Sequence, residues 1–174
     1  AMASAPHGAM DTFRSAPLPQ AEEAERLARG EPFAWRLSLE AAQARLGGFE
    51  NLTFQEEGAG PNGETGLIQA RPELGGDVVL ARKDVGVAYH LAVVCDDALQ
   101  EITHVVRGCD LFEAAHVQRL LQALLDLPTP VYRHHRLLAG PDGKRYAKRD
   151  KAETLRALRE AGMTPERLRQ EMGL

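Results

Sequence analysis

Cations crowd one short segment of this chain: Lys144, Arg145, Lys148 and Arg149 all fall within DGKRYAKRD, residues 142–150. On a loop between a strand and a helix, such side chains can reach a polyphosphate and release it. Charge-assisted bonds favour phosphate oxygens, and a transferring phosphoryl or adenylyl group needs cations where its charge develops. Taken alone, the same loop also reads as a solvated turn. A second anion-seeking residue, Arg107, closes the apolar run Ile102 to Val106 and is followed by Gly108. In an open α/β sheet, ligands collect beyond the carboxyl ends of the strands, where glycine lets backbone and ligand approach. Arg107 is therefore placed to meet an anion. His134 and His135 invite a metal, but neighbouring strand residues point to opposite faces and no third ligand is suitably spaced. They read as structural or ligand-lining histidines. Cys95 and Cys109 lack C-x-x-C spacing and read as buried thiols in a reducing compartment.

Elements to position these groups are legible around them. Tyr89, Ala92, Val93 and Asp96 recur at helical spacing, so a helix feeds the strand at 102–106. Phe112 to Leu127 carries Ala115, Val117, Leu120, Leu121, Leu124 and Leu125 as a wide buried stripe, ended by Pro128 and Pro130. Val131 to Leu138 is a further strand, and the strand-helix-strand order favours a parallel pair with a right-handed crossover. Upstream, residues 20–30 form an amphipathic helix stopped by Gly30. Phe33 to Leu39 alternates as a strand, and Asn51 to Glu57, Leu67 to Ala70 and Asp77 to Arg82 supply more. Two helices end the chain, Ala152 to Gly162 and Pro165 to Leu174, the second with Thr164 as its N-cap. Residues 1–19 are rich in Ala, Ser, Pro and Met and read as a loose arm.

With 174 residues, 44% hydrophobic and 26% charged, the chain can bury a real core. No apolar run approaches a membrane span and no signal-peptide pattern opens the chain, so no membrane partner and a cytoplasmic location are expected. The net charge of -4 excludes a globally basic nucleic-acid wrapper, and any RNA contact must come from a local patch.

Taken in order, Tyr-His-Leu-Ala-Val-Val at 89–94, Asp96-Asp97, Thr-His-Val-Val-Arg-Gly at 103–108, Pro130-x-Tyr132, His134-His135, Leu137-Leu138 and the Lys-Arg loop resemble the glutamyl-tRNA synthetase lineage. The chain most resembles its short branch without an anticodon-binding domain, the glutamyl-queuosine tRNA(Asp) synthetases, from about Phe33 to Ala161. The resemblance implies an α/β chain carrying part of a Rossmann-like class I catalytic fold, with a β-rich insertion and a C-terminal helical hairpin. It implies ATP-dependent activation of glutamate and transfer to tRNA, with magnesium accompanying the ATP. Arg145-Tyr146-Ala147-Lys148-Arg149 matches the second class I signature, commonly Lys-Leu-Ser-Lys-Arg in this branch. Lys148 falls on the lysine that meets ATP and is the catalytic candidate; Arg145 stands for the first Lys and Ala147 for Ser. Tyr89 and Arg107 fall on glutamate-binding positions. A guanidinium forks onto a carboxylate, and a phenol can both line a pocket and hydrogen-bond. Asp110 could serve a ribose or orient a neighbour, and Leu137 and Leu138 match positions whose backbone lies near adenine.

The family's first signature, His-Ile-Gly-His, has no counterpart, because Pro6-His7-Gly8 lacks the second His and a preceding strand. The zinc-binding Cys cluster of many members is missing as well. The chain thus resembles the C-terminal part of the enzyme, and four segments are expected: an arm and helix at 1–32, the acceptor-binding insertion at 33–85, the second half of the catalytic fold with the lysine loop at 86–150, and terminal helices at 151–174. An exposed sheet edge, weak ATP binding, and self-association or a separate N-terminal piece follow as expectations. The alternative is a non-catalytic relative that binds glutamate, nucleotide or RNA.

Overall fold

The computed structural model describes residues 16–137 and 154–173, and the chain divides into two compact units at His135 and Arg136. Leu138, Arg145 and Lys148 lie outside the described residues.

The first unit opens with α1 (Gln20–Ala28), which buries no residue. Its exposed faces carry Glu22–Arg26 and Glu25–Arg29 pairs at 2.6 and 2.8 Å, the one-turn spacing that supports a solvated helix. β1 (Ala34–Arg36) is shorter than its alternating sequence predicts. The chain turns at Ser38, whose hydroxyl accepts a hydrogen bond from Ala41 N at 3.2 Å and so starts α2 (Leu39–Leu46). Leu39 therefore enters the core as the first residue of a helix rather than as part of a strand face. The buried Asp77 carboxylate accepts Leu39 N–H at 3.0 Å, pairing one of the amides that every helix start leaves open.

β2 (Thr53–Glu56) and β3 (Gly66–Gln69) form an antiparallel hairpin. β4 (Val79–Arg82) and β5 (Gly86–Val87) follow, and with β1 they make a small antiparallel sheet in the order β1-β4-β5. Sequence patterning misses β5 because a two-residue strand shows no alternation.

α3 (Tyr89–Leu99), β6 (His104–Gly108), α4 (Phe112–Leu124) and β7 (Val131–His135) complete the unit. β6 and β7 pair in parallel through the α4 crossover, as expected. β2 adds in parallel to the other side of β7, giving the sheet order β3-β2-β7-β6. The segment expected as an insertion thus contributes strands to the same sheet as β6 and β7. Among the described residues β6 is an edge strand, and Val106 on it is 64% exposed.

α4 ends at Leu124, ahead of the prolines. Asp126 takes φ 53° and Leu127 N–H returns to Gln122 O at 2.9 Å, so the turn rather than proline stops the helix. One face of α4 packs Phe112, Ala115 and Leu120 against Phe54 and Tyr132 of the sheet, while Val117 and Leu121 meet Val94 of α3 and Val78. The cysteine expectation is corrected: Cys95 is exposed on α3 and Cys109 half-buried, because Val94 and not Cys95 takes the inward position there.

His116 also lies in this core, edge-on to Phe54 and Phe112, with its Nδ1 accepting Arg71 N–H at 3.2 Å. Burial pushes its pKa down to about 4 from 6.5. The unfolded chain therefore binds the extra proton between those values, so the stability held above pH 6.5 is lost as pH falls toward 4, by on the order of 3 kcal/mol. Urea midpoints measured across that range should decline, and His116→Gln, which keeps an acceptor for Arg71, should flatten the decline.

The second unit holds α5 (Leu155–Glu160) and α6 (Pro165–Met172). Thr154 and Thr164 cap them, their hydroxyls accepting Ala157 N–H and Arg167 N–H at 3.1 and 3.2 Å. Arg136 donates to the Met172 carbonyl. No helix among the described residues is long and apolar enough to cross a membrane.

Candidate functional site

At the carboxyl end of β6, Arg107 lies in register with His134 of β7. Its Nε–H donates to His134 Nε2 at 3.0 Å, and Nη1 donates to Gln118 Oε1 of α4 at 2.9 Å. The guanidinium stands over the Tyr132 ring, 5.1 Å from its centroid. A guanidinium only donates, so His134 Nε2 must accept and its proton must reside on Nδ1. That Nδ1–H points at Glu56 Oε2, 2.5 Å away, with both side chains fully buried. Glu56 Oε1 meanwhile accepts the backbone N–H groups of Gly58 and His134, each at 2.8 Å. A carboxylate, a neutral imidazole and a guanidinium thus stand in line, and both carboxylate oxygens of Glu56 are engaged.

Two donors in the array have no partner among the described residues: Arg107 Nη2 and Gln118 Nε2, both shielded from solvent. They belong to the two side chains that the Arg107–Gln118 hydrogen bond joins. A buried N–H without an acceptor is costly, and an anionic oxygen is the group that would complete this pair. Electrostatics around the site agree. Burial lowers the His134 pKa against the opposing pull of its Glu56 bond. Burial also lowers that of His90, with Arg107 adding to the effect. Asp97 of α3 is raised by partial burial, with Arg107 opposing. Arg107 is thus the fixed positive charge to which several surrounding groups respond.

Tyr89 begins α3, is 41% exposed, and packs edge-on to His90 with centroids 5.5 Å apart. Asp110 sits in the short turn Cys109–Leu111 that follows β6. Leu137 belongs to the second unit and is partly exposed. His134 is buried and His135 exposed, as opposite faces of a strand require. Among the described residues no cluster of three or more His, Cys, Asp or Glu could hold a metal ion.

Sequence reasoning passed over Glu56 and Gln118. Their signals were present: Glu56 shares the inward face of β2 with Phe54, and Gln118 falls within the buried stripe of α4. A charged or amide side chain on an apolar face needs a partner.

Residues 63–174 match the family model for class I tRNA synthetases (E and Q), catalytic domain. The glutamyl-Q tRNA(Asp) synthetase of Rhodobacter capsulatus is 46% identical over 145 residues, 81% of this chain and 49% of that protein. The enzyme of the same name from Symbiobacterium thermophilum is 40% identical over 171 residues, 95% of this chain and 49% of that one. The chain therefore spans about half the length of the curated relatives it matches. Among solved structures, a glutamate tRNA ligase from Elizabethkingia meningosepticum, in complex with its amino acid, superposes with a TM-score of 0.58 at 24% identity, covering 76% of this chain and 24% of that one. That likeness in fold agrees with the parallel β6-α4-β7 unit and its added strands, an α/β Rossmann-like arrangement. By the family match, which spans more than half of its length, the chain belongs to the class I glutamyl and glutaminyl tRNA synthetases.

Proposed function

We propose that this chain carries the amino-acid side of an ATP-dependent glutamate-activating site, and that the product acyl group goes to tRNA, specifically to the queuosine base of tRNA(Asp). The observation that carries the reading is Arg107: a half-buried side chain, fixed by His134 and Gln118, with Nη2 lacking an acceptor among the described residues. A dicarboxylic amino acid suits it, because one carboxylate can be held while the other reacts. Tyr89 lines the same region and supplies a phenol. The reacting carboxylate oxygen bonds to the α-phosphorus of ATP as the bond to pyrophosphate breaks. An RNA hydroxyl then attacks the acyl carbon, and AMP leaves with the bonding pair.

Arg145 and Lys148 supply charge to the polyphosphate, Leu137 and Leu138 border adenine, and Asp110 serves the ribose. Magnesium, bound through the ATP phosphates, would add Lewis-acid charge there. The reaction belongs in the cytoplasm, where ATP and tRNA are found. Similarity to relatives named for this activity supports the substrates and the acceptor.

Glutamate-dependent exchange of pyrophosphate into ATP tests the reading and separates it from binding without turnover. In an exchange-competent preparation, Lys148→Ala should slow exchange by about 3 kcal/mol, more than a hundredfold. Its stability should change by no more than about 0.5 kcal/mol. Unchanged exchange would remove Lys148 from the chemistry.

A further inference from the structure

We propose that Glu56 and His134 are positioning residues that hold Arg107 in its carboxylate-binding orientation, and that Gln118 Nε2 joins Arg107 Nη2 in gripping that carboxylate. The inference rests on the glutamate reading above and deepens it. A guanidinium presents five N–H bonds in one plane, and its direction is set by whichever acceptors meet them. Here His134 takes Nε–H and Gln118 Oε1 takes an Nη1–H, which leaves Nη2 as the unpaired corner. The amide that accepts from Nη1 likewise has its own Nε2 unpaired among the described residues. Two unpaired donors on hydrogen-bonded side chains suit the two oxygens of one carboxylate.

His134 can accept from Arg107 only in the tautomer protonated on Nδ1. Glu56 enforces that tautomer, because a buried carboxylate facing Nδ1 at 2.5 Å demands a proton there. Glu56 is itself immobilised by the backbone amides of Gly58 and His134. The order of control therefore runs from the backbone of the β2–β7 junction, through Glu56 and the imidazole, to the guanidinium. Tyr132 supports the far side of it and is tied by its hydroxyl to Gln122, 3.1 Å away.

The discriminating substitution is Glu56→Gln. It keeps size and can still accept the two backbone N–H groups through its carbonyl oxygen, but it turns an N–H toward Nδ1. The imidazole must then move its proton to Nε2, where it opposes Arg107 Nε–H, and the guanidinium loses its anchor. His134→Gln is the conservative companion, since an amide can donate to Glu56 and accept from Arg107 together.

The test uses the 174-residue chain labelled with 15N. Ring-nitrogen spectra should give an Nδ1-protonated His134 in the wild type and an Nε2-protonated one in E56Q. Titration with L-glutamate should shift the Arg107 and Gln118 side-chain signals, with affinity about tenfold weaker in E56Q and close to wild type in H134Q. Should E56Q fail to fold by thermal melting, H134Q against His134→Leu carries the same comparison, with only H134L weakened. An Nε2-protonated His134 in the wild type overturns the inference outright. Equal glutamate affinity in wild type and E56Q, with the tautomer switched, overturns it while leaving Arg107 as a glutamate ligand. A wild type that shows no response to L-glutamate overturns the glutamate reading and this inference with it.

Discussion

Gly58→Ala should destabilise the protein by about 4 kcal/mol, through backbone conflict rather than lost contacts. A Cβ added at Gly58 would lie 2.0 Å from the carbonyl oxygen of His134 and 2.8 Å from its amide nitrogen. Neither atom belongs to a flexible side chain, so the strand itself must retreat. β2 is held to β7 just here, by Glu57 N–H to Tyr132 O at 2.8 Å and Ala59 N–H to His134 O at 3.0 Å. Retreat would break these bonds and draw Glu56 away from the imidazole. Urea denaturation should therefore give a much lower midpoint. Gly63→Ala is the control: that glycine, unlike Gly58, is in a left-handed conformation, at φ 85°, and its added Cβ meets nothing within 4 Å. It should cost only the backbone strain, about 1 kcal/mol. Equal losses for the two variants would show that close approach at β7 is not what Gly58 provides.

Arg107→Met should abolish most glutamate recognition, weakening binding by about 4 kcal/mol, nearly a thousandfold. Methionine retains much of the aliphatic length and can lie on the Tyr132 ring, so the packing is partly kept. The donors are lost, leaving His134 Nε2 and Gln118 Oε1 without partners at a stability cost of about 2 kcal/mol. Arg107→Lys separates charge from geometry. A point-charge ammonium cannot meet His134, Gln118 and a carboxylate with the planar spread of the guanidinium, so it should recover only a small part of the affinity. Calorimetric titration with L-glutamate reads both variants. Affinity retained in Arg107→Lys would mean that charge alone is recognised.

Much of this architecture is legible in the chain. The 3.6-residue stripe of α4, the apolar runs that become β6 and β7, and the Thr164–Pro165 helix start all surface from local pattern, because each is set by neighbours in sequence. Arg107 is legible for the same reason: it closes a strand and precedes a glycine. The pairing of β2 with β7 is not. It depends on Gly58 admitting a second backbone and on Glu56 finding an imidazole distant in sequence, and no local period encodes either. The turn at Ser38 escaped for a simpler reason. Phe33 to Leu39 alternates well enough to suggest a strand, but a capping hydroxyl and the Asp77 carboxylate make a helix start of its last residue.

The β2–β7 junction also bears on the order in which the chain folds. Glu56 and His134 are 78 positions apart, whereas Arg107 and His134 are separated by 27 and bridged by a helix. Closing the longer loop costs more chain entropy, and long-range pairings form late. The β2–β3 hairpin and the β6-α4-β7 unit should therefore appear first and dock afterwards. Until they dock, His134 has no carboxylate to choose its tautomer and Arg107 has no fixed direction. A partly folded chain would carry the right residues and still be unable to recognise its ligand, so recognition would report on completion of the fold.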